Sequence, residues 1–324
     1  MAAVLAIPNT LLALFIIFLT LIYFPATGVE AQPEAGGAEI QARHLPNGEV
    51  DALRQIAKQL GKNDWNFSAN PCDGDPSWRT AIDPERPLFN NSLTCNCSFP
   101  NGECHVDSII LKGQNLSGVL PPDLGKLPYI KTFDLSRNYL SGTIPREWAS
   151  TQLEYLYVTA NRLSGPIPKE LGNVTTLKRL ILEANWFSGA LPSELGYLIN
   201  IENITLNSNN FTGELPMSLA NLTKLTELRI SSNSFMGKIP DFIENWRQLD
   251  KLEIQASGLE GPIPTSISSL DKLSELRISD LNGAGSVFPL IGNMTGLKKL
   301  MLRNCNISGQ IPQDIAVLTN LNTL

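Results

Sequence analysis

From Val106 onward the chain repeats itself every 24 residues, and no other feature restricts its fold as tightly. Aligned on the first apolar residue of Leu-x-x-Leu-x-Leu, the units start at Val106, Ile130, Leu153, Leu177, Ile201, Leu225, Leu249, Leu273, Leu297 and Leu321, with one step of 23 between the second and third. A period of this length is the mark of a solenoid, in which no unit buries its apolar face alone and stacking supplies the core. Nine registered units leave no room for an ordinary globular domain over this stretch.

Residues 177–200, LKRLILEANWFSGALPSELGYLIN, show the whole unit. Leu177, Leu180 and Leu182 at places one, four and six must face a shared core, each worth about 1.5–3 kcal/mol on burial. Strand side chains alternate, so places three, five, seven and eight face outward. Place nine is Asn at 138, 161, 185, 209 and 233, where a side-chain amide can satisfy backbone groups of adjacent units. Gln114, Ser257, Leu281 and Cys305 hold the same place, which makes Cys305 a buried structural thiol. The recurrent Gly and Pro of Ser-Gly-x-Ile-Pro bend the chain away from the strand. In the eighth unit SDLNGAGSVFPLIGNM replaces that turn and Pro289 arrives one place late, so a rearranged flank is expected there. The expected fold is an α/β-type repeat solenoid: a right-handed superhelix of leucine-rich repeats with a parallel concave β-sheet and a helical, disulfide-stapled amino-terminal cap.

The chain divides accordingly into residues 1–31, 32–105, 106–320 and 321–324. Leu11 to Phe24 is a run of 14 almost wholly apolar residues, short of the roughly 20 that span a bilayer, and Val29-Glu30-Ala31 offers a cleavage site. Residues 1–31 therefore read as a signal peptide, a retained anchor being the alternative because no Lys or Arg precedes the run. In 32–105, Val50, Leu53, Ile56, Ala57 and Leu60 recur at helical spacing with Gly61 as a stop, and this helix with Trp65 can cover the open end of the core. Residues 321–324 open a tenth unit with no closing cap, so the chain reads as a fragment or a truncated product.

Four cysteines, Cys72, Cys95, Cys97 and Cys104, crowd the cap. Three pairings are possible; one intervening residue disfavours Cys95 with Cys97, which leaves Cys72 with either. Zinc is disfavoured because paired Cys-x-x-Cys units are missing and an exported chain meets an oxidising compartment. Export is also indicated by ten Asn-x-Ser/Thr acceptors, Asn66, Asn90, Asn96, Asn115, Asn173, Asn203, Asn210, Asn221, Asn293 and Asn306.

A formal net charge of -6 with no basic block argues against nucleic acid as a partner. The only histidines, His44 and His105, assemble no catalytic or metal cluster with the repeats, the acidic residues read as scattered on exposed places, and no nucleotide loop or kinase signature is present. No catalytic residue, metal or cofactor is therefore assigned, and binding is the expected role. The candidate patch is Tyr155, Tyr157, Arg179, Ile181 and Trp186, with Phe187 beside it in a core place. Further along, Glu227, Lys251, Glu275 and Lys299 at place three and Arg229, Glu253 and Arg277 at place five read as a self-neutralising ladder. Nine strands about 4.8 Å apart give a surface roughly 40 Å long, suited to a peptide, a glycan or another ectodomain.

The Ser-Gly-x-Ile-Pro unit over residues 106–324 resembles the plant extracellular class of leucine-rich repeats. LTCNCSFPNGECHVDSIILKGQNLSGVLPPDLGKLPYI and RISDLNGAGSVFPLIGNMTGLKKLMLRNCNISGQIP resemble plant leucine-rich-repeat receptor-like serine/threonine kinases of the subfamily that carries a malectin-like domain. The resemblance implies a signal peptide and capped repeats, followed in such proteins by the malectin-like domain, one membrane helix and a cytoplasmic kinase. Only the first two correspond to residues here. It implies the secretory pathway and the outer face of the plasma membrane; the competing reading is a free secreted binder or inhibitor of a microbial enzyme.

Overall fold

The computed structural model describes residues 44–80, 84–86 and 88–324, so the segment read as a signal peptide lies outside the described residues. The nine units, numbered 1–9 from Val106, stack so that their first strands form one continuous sheet. Strand β1 (Asn90–Asn96) opens it antiparallel to β2 (His105–Lys112), the strand of repeat 1, and all later neighbours are parallel. Equal places stand opposite one another, as in Tyr155 with Arg179 and Glu227 with Lys251. Behind the sheet the first, fourth and sixth places close a single core, Leu177, Leu180 and Leu182 being completely buried. The leucine-rich-repeat solenoid expected from the period is the fold observed.

Every concave strand leaves the sheet through a residue in the left-handed region. Place eight has φ between 46° and 69° in all nine repeats, and only Gly113 among its occupants is a glycine; Arg137, Ala160 and Ala184 are typical of the rest. Such a conformation costs a non-glycine residue about 1–2 kcal/mol. The bonds made by the next residue hold it in place. Asn185 Nδ2 donates to the carbonyls of Val158 (2.9 Å) and Leu182 (3.0 Å), and its Oδ1 accepts the N–H of Leu163 (3.1 Å). Asn138, Asn161, Asn209 and Asn233 repeat the pattern, tying each repeat to the one before it. In repeat 1 no earlier repeat offers a carbonyl, and Gln114 turns instead to the cap, its Oε1 accepting from Lys62 Nζ at 3.0 Å.

After place nine the chain forms a second, lateral sheet of five short parallel strands in repeats 2–6: Ser141–Gly142, Arg162–Gly165, Trp186–Ala190, Asn210–Gly213 and Ser234–Phe235. Its register differs from that of the concave sheet. Place twelve of one repeat pairs with place ten of the next, as Ser141 with Arg162, Ser164 with Trp186 and Thr212 with Ser234. Beneath it Phe187, Phe211 and Phe235 stack with ring centroids 6.1 and 6.2 Å apart. A proline then starts a five-residue 3-10 turn on the convex side, for example Lys169–Asn173 after Pro168.

Repeat 8 departs from this plan where the late Pro289 indicated. Its flank carries two short strands: Asn282–Gly283 pairs back to repeat 7, and Ser286–Val287 pairs forward to repeat 9 with Ser286 opposite Ile307. The convex 3-10 turn is missing between Thr265–Ser269 and Gln313–Val317. The apolar plug has moved: place eleven, a buried Leu or Phe in repeats 1–7, is the exposed Gly283, while Leu281 at place nine is buried. Cys305 at place nine of repeat 9 is buried, its thiol directed at the carbonyls of Arg303 (3.2 Å) and Ile278 (3.4 Å), and burial pushes its pKa up.

At the amino end, helix α1 (Asn47–Leu60) lays Ala52, Leu53, Ile56, Ala57 and Leu60 on the core and stops at Gly61, which has φ 75°. The fit is close: a Cβ on Gly118 would stand 1.9 Å from the Gln59 carbonyl oxygen. Trp65, Phe67 and Trp78 pack together beside it. The disulfides are Cys72–Cys95 and Cys97–Cys104, so the first staples the turn at Pro71–Asp73 to β1 and the second clips β1 to β2. His44 is held by backbone bonds with Gly102 and Cys104. The expectation that acidic residues occupy only exposed places fails here. Glu49 is buried, pairing with His105 Nδ1 and accepting the Val106 N–H at 2.9 Å, which fastens α1 to β2.

Candidate binding surface

Four of the five residues singled out for binding share the concave face. Tyr155 and Tyr157 project from the strand of repeat 3, directly opposite Arg179 and Ile181 in repeat 4. Arg179 is exposed, the others are half-buried, and Arg179 makes no ion pair among the described residues. Trp186 is a correction. It lies in the lateral sheet opposite Ser164, because the left-handed turn at Ala184 (φ 55°) and the anchored Asn185 carry the chain off the concave face first.

Beside Tyr155 lies a charged group that the sequence reading passed over. Lys178 Nζ reaches Glu154 at 2.7 Å, Lys131 approaches the same carboxylate at 3.7 Å, and Lys178 stands 5.9 Å from the Tyr155 ring centroid. The hydrogen bond from Lys178 holds the Glu154 carboxyl below its ordinary pKa, against the opposing effect of partial burial. A signal existed: opposite charges at one place of consecutive repeats face each other across the sheet.

The later repeats differ. Glu227 meets Arg229 at 2.5 Å, Arg229 reaches Glu253 at 3.8 Å, Arg277 pairs with Glu275 and lies 4.0 Å from Glu253, and Lys299 reaches Glu275 at 3.7 Å. Here too the expected exposure of the acids is overturned, for Glu253 and Glu275 are each only 8% exposed beneath the longer basic side chains. A ligand that drew away one of these cations would strand a buried carboxylate, which is expensive. Lys251, level with Glu227 and Glu275, makes no ion pair among the described residues. The ladder therefore satisfies most of its own charge, whereas repeats 3 and 4 present ring faces and an uncompensated guanidinium.

Asn203 marks the boundary between the two. It is half-buried on the concave strand of repeat 5, and its Nδ2 donates to Glu227 Oε2 at 2.6 Å. Of the ten acceptor asparagines, eight are exposed; Asn90 on β1 and Asn203 are the half-buried ones.

A sequence profile described as Leucine Rich Repeat matches residues 129–150, 152–174, 200–222, 224–246 and 296–318. One probable LRR receptor-like serine/threonine-protein kinase of Arabidopsis thaliana is 50% identical over 136 residues, covering 41% of this chain and 13% of that protein. A second from the same plant is 51% identical over 144 residues, covering 44% and 14%. The chain thus spans a small part of these relatives' length. Among solved structures, the LRR ectodomain of the Arabidopsis thaliana membrane receptor kinase GASSHO1/SCHENGEN3, in complex with Casparian strip integrity factor 2, is 33% identical with a TM-score of 0.64, covering 67% of this chain and 26% of that one. The Arabidopsis HAESA LRR ectodomain in complex with an amino-terminally extended IDA peptide hormone is 28% identical with a TM-score of 0.61, covering 69% and 41%. The chain is a leucine-rich-repeat array that resembles the ligand-binding ectodomains of plant receptor kinases. No helix among the described residues is long and apolar enough to cross a membrane.

Proposed function

We propose that this chain is the amino-terminal, extracellular recognition part of a plant receptor-like serine/threonine kinase, and that its concave face takes an extended peptide at Tyr155, Tyr157, Arg179 and Ile181. The observation that carries the reading is the register of repeats 3 and 4, which sets two tyrosines against an unpaired arginine and an isoleucine on one open face. Tyr and Arg are enriched among residues that dominate binding, and each ring offers a large contact at small entropic cost. The relatives described as receptor-like kinases, and the HAESA ectodomain crystallised with a peptide hormone, support the same reading. The two segments in the cap and repeats 8–9 favour the subfamily with a malectin-like domain. Signalling and phosphoryl transfer belong to parts of such a receptor with no counterpart in these residues, and attachment to the plasma membrane belongs to the same parts. The acceptor asparagines carry glycan in this setting, with Asn203 setting how much of the concave face stays open.

The transcript beyond residue 324 tests the receptor assignment, because a membrane span and kinase are expected there. For the face itself, replacing Tyr155 and Tyr157 together by Ala should weaken a peptide selected on the unmodified chain by roughly 30-fold or more, with unchanged denaturant unfolding. Full affinity in the double variant would refute the assignment of this face.

A further inference from the structure

We propose that the lateral flank of repeats 2–4 binds a linear glycan bearing carboxylates. Tyr139, Arg162 and Trp186 occupy place ten of three successive repeats; Tyr139 is 50% and Trp186 64% exposed. The Arg162 guanidinium lies 5.0 Å from the Tyr139 ring centroid and makes no ion pair among the described residues. Single exposed aromatics are ordinary on protein surfaces. Here one large planar group recurs at the same place of each repeat, Tyr139 just ahead of the first lateral strand and Arg162 and Trp186 opening the next two, with Ser141 level with Arg162 and Ser164 level with Trp186.

The chemistry of the occupant follows from what the face holds and lacks. Its outward places in these three repeats carry no carboxylate; the next acid in the same rows is Glu214 in repeat 5. Arg162 is therefore an uncompensated cation whose planar fork matches a carboxylate. The protein's net charge of -6 opposes a nucleic acid. A protein partner needs an apolar centre to its interface, yet here the rings are separated by hydroxyls and a cation, and the nearest exposed aliphatic side chains on the flank, Val119 and Met236, belong to repeats 1 and 6. A sugar chain presents C–H faces to rings and hydroxyls to serines, and a uronate unit adds the charge. The acceptor sites Asn115 and Asn210 hold the same place ten in repeats 1 and 5, so attached glycans would border this strip and leave it open.

This inference is independent of the concave-face reading, since the two share no residue. Trp65, Trp78, Trp148 and Trp246 are buried, so acrylamide quenching of fluorescence reports on Trp186. The secreted chain is titrated with a uronate oligosaccharide, its methyl ester and poly-glutamate. The uronate should shield Trp186 and the methyl ester should not. Arg162→Gln should weaken uronate binding about tenfold, while Lys224→Gln, which removes a cation away from this flank, should leave it unchanged. Unshielded Trp186 at saturating uronate, equal binding of the ester, or full affinity in R162Q would each overturn the proposal. Shielding by poly-glutamate as strong as by uronate would overturn it too and assign the flank to an acidic protein.

Discussion

Repeats 2–6 and repeats 7–9 stack by different means. In the first group an asparagine at place nine ties its own repeat to the one before it, the lateral sheet is continuous, and a phenylalanine column runs beneath part of it. In the second group place nine is Ser257, Leu281 and Cys305, and the lateral sheet falls into two separate pairs. The concave ladder is common to both groups, amides at places six and eight reaching the next repeat from Leu182 to Thr205 and Ala184 to Asn207 as from Ala256 to Ser279. The second group thus lacks the side-chain amides and the continuous flank and keeps the backbone ladder that both groups share. A solenoid can lose one of its lateral devices locally provided that the remaining sheet stays in register.

The comparison is most exposed to test at the flank core. Phe211→Ala should cost about 3–5 kcal/mol by denaturant unfolding, because it empties the middle of the ring column. Ile307→Ala, at the same place eleven in repeat 9 but half-buried, should cost no more than about 2 kcal/mol. Equal losses would mean that the broken flank is as tightly packed as the continuous one.

A smaller contrast concerns place nine. Asn185→Ala strands the Leu163 amide and removes one of the two side-chain donors from each of the Val158 and Leu182 carbonyls, which Asn161 and Asn209 still serve, and should cost about 2 kcal/mol. Ser257→Ala loses only a long contact to the Leu259 N–H at 3.3 Å and should cost about 1 kcal/mol or less. If the two variants unfold at the same denaturant concentration, the amide ladder is not what distinguishes the groups. The smallest effect should be common to both: Ala184→Gly and Ala256→Gly relieve positive φ values of 55° and 46° and should each stabilise by about 0.5–1 kcal/mol. A gain in only one would show that the strand exit, too, differs between the groups.

Much of this architecture was legible because the period forces it. Once Leu177, Leu180 and Leu182 must share a core, the concave strand, its outward places and the ninth-place amide follow, and the delay of Pro289 marks the flank that breaks. The helix over Val50 to Leu60 was legible for the same reason, an apolar spacing with a stop at Gly61. What escaped depends on groups brought together only by folding. At place eight only Gly113, Asp280 and Asn304 are of types that suit a left-handed backbone, and the arginine, alanines and serines that hold the place in the other six repeats do not announce it. Cysteine pairing is not encoded in spacing alone. The burial of Glu253 and Glu275 arises from neighbours 24 residues away, and the Glu49–His105 pair joins the cap helix to the first repeat across 56 residues. Trp186 was misplaced because a sharp turn separates it from residues only a few positions earlier.

The two sheets keep different rulers. On the concave side equal places lie level, so a straight ligand meets the same place in each repeat at intervals of about 4.8 Å. On the flank each step climbs two residues, about 6.6 Å along the strand, so anything reading one place there must follow an oblique, screw-like path. At repeat 8 the offset becomes three residues, with place fourteen opposite place eleven, while Glu275 and Lys299 remain level across the concave side. The extra residue therefore acts as a phase stop: a ligand tracking the flank falls out of step there, and one lying in the concave face passes without noticing.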